Sequence, residues 1–128
     1  MLKKILIANR GEIACRIIKT AHKMGIKTVS IFSDPDINAP HVNMSDECVS
    51  IGGNTSIDSY LRIDKIIDAM KKSNAEAVHP GYGFLSENVN FRDEVNKIGK
   101  TFIGPPSEAI SSMGDKIRSK KIAKAAGV

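Results

Sequence analysis

The sequence predicts an α/β fold, a mostly parallel sheet with helices on both faces. Three observations carry this. Short β-rich apolar runs alternate along the chain with stretches whose apolar residues recur at helical spacing. Glycine or proline punctuates the points where elements have to end. Strands separated by helices at this spacing need crossover connections, and these join parallel strands.

Taken in order, Lys4–Ala8 is the first strand. Ile13, Ala14, Ile17, Ile18, Ala21 and Met24 share one face of the first helix, and Gly25 closes it as a left-handed cap. Thr28–Phe32 is a second strand, ended by the turn former Asp34-Pro35. The connection from Ser33 to Glu47 reads as one long irregular loop. Cys48–Ile51 is the third strand, stopped by Gly52-Gly53. Tyr60 and Leu61 form a turn before a helix whose apolar face is Ile63, Ile66, Ile67 and Met70. Ala75–His79 is the fourth strand. Ser86 caps a helix through Phe91, Val95 and Ile98 to Gly99. Thr101–Ile103 is the fifth strand, ended by Gly104-Pro105-Pro106. Ser107 caps a brief helix through Ile110 and Met113, and Lys116–Ala126 reads as a further helix.

In open parallel sheets, ligands gather outside the carboxyl ends of the strands. Three loops fall there: Asn9-Arg10-Gly11-Glu12, His79–Ser86 and Gly104-Pro105-Pro106. The second is the richest. Gly81 and Gly83 permit positive φ and close approach, and Tyr82 between them offers an apolar ring with a polar tip. A turn alone needs one glycine, so this loop is expected to meet a ligand.

Composition narrows the class. At 128 residues, 41% apolar and 26% charged, the chain is one ordinary globular domain. It has no apolar run near the roughly 20 residues of a membrane span, and the Ile5–Ala8 run is too short for a signal peptide core. Cys15 and Cys48 stand far apart, as do His22, His41 and His79, so no zinc or disulfide pattern exists. Two reduced, packed thiols in a cytosol-like compartment are expected. The net charge of +5 is concentrated: residues 115–128 hold five basic side chains against Asp115, and residues 1–114 hold 14 against 13. Nucleic-acid binding calls for a broader basic face with interleaved aromatics, which is absent here.

The first loop argues against a dinucleotide enzyme. A pyrophosphate needs bare backbone at that helix start, whereas Gly11 is alone among bulky neighbours and Glu12 would repel the phosphate. Arg10 reads equally well as a functional residue or as a loop arginine paired with Glu12 or another carboxylate. The pairs Asp34/Asp36 and Asp46/Glu47 lack a third ligand and read as solvated turn residues. Lys116, Lys120 and Lys124 recur every four residues and read as a solvated basic helix face, against which Lys116 has a second reading. Gly114 breaks the preceding helix, Asp115 can cap the next, and the ammonium then stands where free amides already favour an anion such as phosphate.

Together, Ile7-Ala8-Asn9-Arg10-Gly11-Glu12-Ile13-Ala14, His79–Asn88, Phe102-Ile103-Gly104-Pro105 and Met113-Gly114-Asp115-Lys116 resemble, in order and spacing, the biotin carboxylases. Ala14-Cys15-Arg16, His22–Val29 and Gly114-Asp115-Lys116-Ile117 look most like the propionyl-CoA branch of the acyl-CoA carboxylases. The resemblance implies a Rossmann-like domain, residues 1–114, ahead of an ATP-grasp fold, with residues 115–128 starting the linker helix. It implies ATP-dependent ligase chemistry: bicarbonate is phosphorylated with ATP and Mg²⁺, and a ureido nitrogen of carrier-held biotin is carboxylated. By motif, Lys116 would contact the ATP phosphates, Tyr82 and Gly83 would line the biotin and bicarbonate cleft, and Arg16 would lie at a homodimer interface. Lys23 departs from the family, standing where some members carry an acid.

Implied partners are the rest of the biotin carboxylase, a biotin carboxyl carrier domain and a carboxyltransferase subunit, with no nucleic acid and no membrane. The implied compartment is cytoplasmic, or the mitochondrial matrix in a eukaryote, although no transit peptide is read. The sequence stops at Gly127-Val128, before the family's glycine-rich lid, Mg²⁺ carboxylates and general base. These residues alone are therefore expected to hold no catalytic group and to bind no cofactor tightly. A competing reading is a non-catalytic Rossmann-like module that binds a nucleotide or a partner. Other ATP-grasp ligases should lack the glycine-flanked Tyr82.

Overall fold

The computed structural model describes residues 2–104, which build one five-stranded parallel sheet with helices on both faces. The elements are β1 (Lys4–Ile7), α1 (Gly11–Lys23), β2 (Lys27–Phe32), a 3₁₀ turn (Asp34–Asp36), α2 (Pro40–Met44), β3 (Glu47–Ser50), α3 (Ile63–Ser73), β4 (Ala77–His79), α4 (Val89–Lys97) and β5 (Thr101–Phe102). Strand order is β3-β2-β1-β4-β5, every pair parallel, with Ile7 opposite Ser30 on one side and His79 on the other. The chain thus winds outward from β1 to β3 and returns to lay β4 on β1's free edge. That reversal opens a crevice between the loops following β1 and β4.

Alternation along β1 divides the core. Ile5 and Ile7 pack with Ala14, Ile18 and Ala21 of α1, whereas Leu6 and Ala8 face Ile66 and Met70 of α3 and Phe91 and Val95 of α4. These strand residues are at most 4% exposed, the signature of a sheet covered on both faces. Phe91 meets Phe102 edge to face at 5.7 Å, fixing α4 against β5. Gly25, at φ +75, follows the α1 cap as expected, and Asn74 ends α3 in the left-handed region at φ 59.

Several expectations need correction. The stretch from Ser33 to Glu47 is not irregular: it holds the 3₁₀ turn and α2. Pro35 and Pro40 sit in the first turn of these short elements, where a missing N–H costs nothing. His41 of α2 is fully buried, with its Nε2 donating to the Ile31 carbonyl at 3.0 Å, while Ser30 Oγ donates to the His41 carbonyl. Asn88, not Ser86, caps α4, its Oδ1 accepting from the Phe91 amide at 2.9 Å. Cys48 is exposed on the edge strand β3, and only Cys15 is partly buried, so the pair of packed thiols is not found. The expected helices over 107–113 and 116–126 and the division at 114/115 lie outside the described residues.

Candidate functional site

The loops after β1 and β4 meet at the switch point, and Asn9 joins them. Its side chain is 1% exposed. The Nδ2 group donates to the carbonyls of Pro80 at 2.8 Å and Tyr82 at 2.7 Å, and Oδ1 accepts from the Arg10 amide at 2.8 Å. The chain between the two carbonyls turns at Gly81, φ +66, pressed so closely that a Cβ there would lie 2.8 Å from Asn9 Nδ2 and 2.9 Å from Ile13 Cγ2. The close backbone approach expected of this glycine is therefore made against the neighbouring loop. Gly83, at φ +67, faces open space.

His79 ends β4 beneath this loop. Its Nδ1 accepts from the Gly81 amide at 3.1 Å, which puts the ring proton on Nε2 in the neutral form. Burial holds its pKa below the usual histidine value, favouring that form. Beyond the turn, Phe84 takes φ 45 and stacks on Tyr60 with centroids 5.4 Å apart. Tyr82, between these anchors, is 80% exposed.

Tyr60 lies in the turn expected before α3, and the turn buries it. It is 1% exposed, and its hydroxyl donates to Asp36 Oδ2 at 2.6 Å while accepting from the Ser33 amide at 3.2 Å. Asp36 also takes a bidentate pair from Arg10, Nε to Oδ2 at 2.5 Å and Nη2 to Oδ1 at 2.7 Å. It is a buried anchor, which corrects its reading as a solvated turn acid. The Arg10 bonds, aided by the Tyr60 hydroxyl, lower its pKa to about 2, and the Arg10 pKa is raised in turn. Arg10 therefore pairs with Asp36, and Glu12 pairs instead with Arg16 at 3.2 Å.

Asp46 is likewise engaged, accepting from the Thr28 amide at 2.8 Å and contacting His22 at 2.9 Å, and Glu47 pairs with Lys4. Neither is only solvated. Asp34 stays exposed, as a turn residue should.

Tyr82, Gly81 and His79 form one end of a groove of about 830 Å³ that runs along α1 past Ile13, Arg16 and Ile17 to Leu2 and Ile103. Its wall is mainly aliphatic, and the exposed Tyr82 ring at its end suits a flat, largely uncharged ligand. The described residues gather no group of three or more His, Cys, Asp or Glu side chains able to hold a metal ion. Among them no helix is long and apolar enough to cross a membrane.

The structure brings Tyr82 and Gly83 onto the same rim as the Asn9–Glu12 loop. Arg16, exposed on α1, lies farther along the same groove. Lys116 lies outside the described residues. Sequence reading missed Asn9 and Asp36 as organisers. Their partners stand 71–73 and 26 positions away in the chain, so no local spacing reports them.

Residues 1–110 match the family model described as biotin carboxylase, N-terminal domain. The propionyl-CoA carboxylase alpha chain of Caenorhabditis briggsae, a mitochondrial protein, is 62% identical over 98% of this chain and 17% of its own length. The mitochondrial methylcrotonoyl-CoA carboxylase subunit alpha of Rattus norvegicus is 56% identical over 99% of this chain and 18% of its own. This chain thus spans less than a fifth of those curated relatives. Among solved structures, the biotin carboxylase domain dimer of Hydrogenobacter thermophilus 2-oxoglutarate carboxylase, in complex with MgADP, ADP and bicarbonate, superimposes with a TM-score of 0.89. It is 50% identical and covers 100% of this chain and 28% of its own.

Proposed function

Because this chain belongs to the biotin carboxylase N-terminal domain family, we propose that it forms one wall of the cleft in which an ATP-dependent ligase carboxylates biotin. The acceptor we assign is an acyl-CoA, propionyl-CoA in particular. The observation that carries this reading is the pinned loop: Tyr82 is 80% exposed although the backbone on either side of it is fixed. An exposed aromatic on an anchored support has little folding role and is placed for a ligand.

In this reading Tyr82 and Gly83 lie against biotin and bicarbonate, and Lys116 contacts the ATP phosphates. Bicarbonate is a poor electrophile, so its oxygen is first phosphorylated by ATP, with ADP leaving. Biotin, presented by a carrier domain, supplies the ureido nitrogen that takes the carboxyl group as phosphate leaves and the nitrogen gives its proton to a base in the ATP-grasp part. The described residues do not fit the Mg²⁺ ion, whose ligands are assigned to the ATP-grasp part of the enzyme. Residues 115–128 start the helix leading to that part, Arg16 contacts a second copy, and a carboxyltransferase subunit selects the acceptor. The compartment is the cytosol, or the mitochondrial matrix in a eukaryotic cell.

In the full-length carboxylase subunit, Lys116→Ala should raise KM for ATP about tenfold, as for one lost charge-assisted bond. Tyr82→Ala should impair biotin use by a similar factor, leaving KM for ATP near wild type. Steady-state kinetics with each substrate varied separates the two, and wild-type behaviour in both would discredit these assignments. The 128-residue chain by itself should fail to saturate at millimolar ATP, since one lysine cannot assemble the nucleotide site. Micromolar affinity by calorimetry would overturn that.

A further inference from the structure

We propose that Asn9 is the positioning residue that sets the pose in which Tyr82 and Gly83 meet their ligand. The proposal rests on the reading of that loop as a biotin-facing element. Three atoms of one buried amide are committed at once. Both Nδ2 hydrogens go to carbonyls flanking Gly81, and Oδ1 holds the amide of Arg10. The reversed orientation would set Oδ1 against two carbonyl oxygens, so the side chain has one acceptable pose.

That pose has consequences for the loop. Two carbonyls separated by a single residue point at one nitrogen, which forces the tight turn that Gly81 makes at φ +66. On the far side, Phe84 is held by stacking on Tyr60, and Tyr60 by Asp36. Tyr82 is therefore suspended between an amide on β1's loop and a ring anchored beyond β2. Its ring stays in solvent while its carbonyl is fixed. Arg10 carries both anchors, because its amide bonds Asn9 and its guanidinium bonds Asp36. A ring held this way loses less freedom on meeting a flat ligand than one on a free loop.

Asn9→Asp tests this in the intact carboxylase subunit. It keeps the shape and replaces two donors with an oxygen facing two carbonyls. Hydrogen exchange at the Gly81 and Ser86 amides, bonded to His79 Nδ1 and the Gly83 carbonyl, should accelerate about tenfold, while the β1 and β2 amides keep wild-type protection. KM for biotin should rise about tenfold, with KM for ATP within about twofold. In a Tyr82→Ala background the effect of Asn9→Asp on biotin use should vanish, because it acts through that ring. Asn9→Ser, which keeps one donor, replaces the aspartate variant if the latter does not accumulate.

Unchanged loop exchange, or exchange raised equally across the sheet, overturns the proposal. So does an undiminished effect of Asn9→Asp without Tyr82. A loosened loop with normal biotin use likewise overturns the positioning role, whereas normal biotin use in Tyr82→Ala alone would instead sink the reading of the site.

Discussion

Gly81→Ala is expected to destabilise the 128-residue chain by about 2–5 kcal/mol, and Gly83→Ala by only about 1–2 kcal/mol. Both glycines sit at nearly the same left-handed φ, +66 and +67, so both substitutions incur the backbone strain of about 1–2 kcal/mol. What differs is the space. A Cβ at Gly83 meets nothing within 4 Å, whereas one at Gly81 lands 2.8 Å from Asn9 Nδ2 and 2.9 Å from Ile13 Cγ2. Asn9 cannot retreat without releasing Pro80 and Tyr82, and Ile13 is held on α1. Overpacking of this kind adds about 1–3 kcal/mol. Urea midpoints at constant m-value give the comparison directly. Equal losses at the two positions would mean that the loops are not in contact. In the full-length subunit Gly81→Ala should also impair biotin use, because the same clash displaces Tyr82.

This pair of glycines shows how far the sequence could be read. Periodicity located all five strands and the helices over α1, α3 and α4, since each depends on residues a few positions apart. The His79–Ser86 loop was legible because glycine, proline and an aromatic leave a local trace. What holds that loop was not. By local pattern Asn9 is one residue of a candidate ligand loop, Asp36 a turn acid and Tyr60 part of a turn before a helix. Each gains its role only when the reversal in strand order places β4 beside β1 and packs α3 under β2. The α2 helix was missed for a related reason. Five residues are too short for periodicity, and its anchor, His41, is held by the Ile31 carbonyl and the Ser30 hydroxyl of β2 and not by neighbours in sequence. Asn88 in place of Ser86 is a smaller matter, since both residues can cap and the loop geometry chose between them.

Asp36 carries the second large effect, and its sign follows from its partners. The Arg10 bonds and the Tyr60 hydroxyl stabilise the carboxylate, so its pKa in the folded chain is about 2 against about 4 in the unfolded one. The folded value is the depressed one. The stabilisation is therefore complete above about pH 4 and is lost as pH falls toward about 2, amounting to roughly 2 kcal/mol. Asp36→Ala should cost about 2–4 kcal/mol at pH 7, because the Tyr60 hydroxyl is left buried without its acceptor and Phe84 loses a fixed stacking partner. The loss stays below that of a fully buried ion pair, since Arg10, half exposed, can turn to water. Asp46 and Asp64 also have lowered pKa values, from the Thr28 amide and from Arg62, so acid weakens wild type and variant alike. The difference between the two is what isolates Asp36. It should shrink by roughly 2 kcal/mol between pH 5 and pH 2 in denaturant melts. Parallel stability curves down to pH 2 would mean that the carboxylate is not held by Arg10. The anchor of Phe84 would then have to be sought in packing alone.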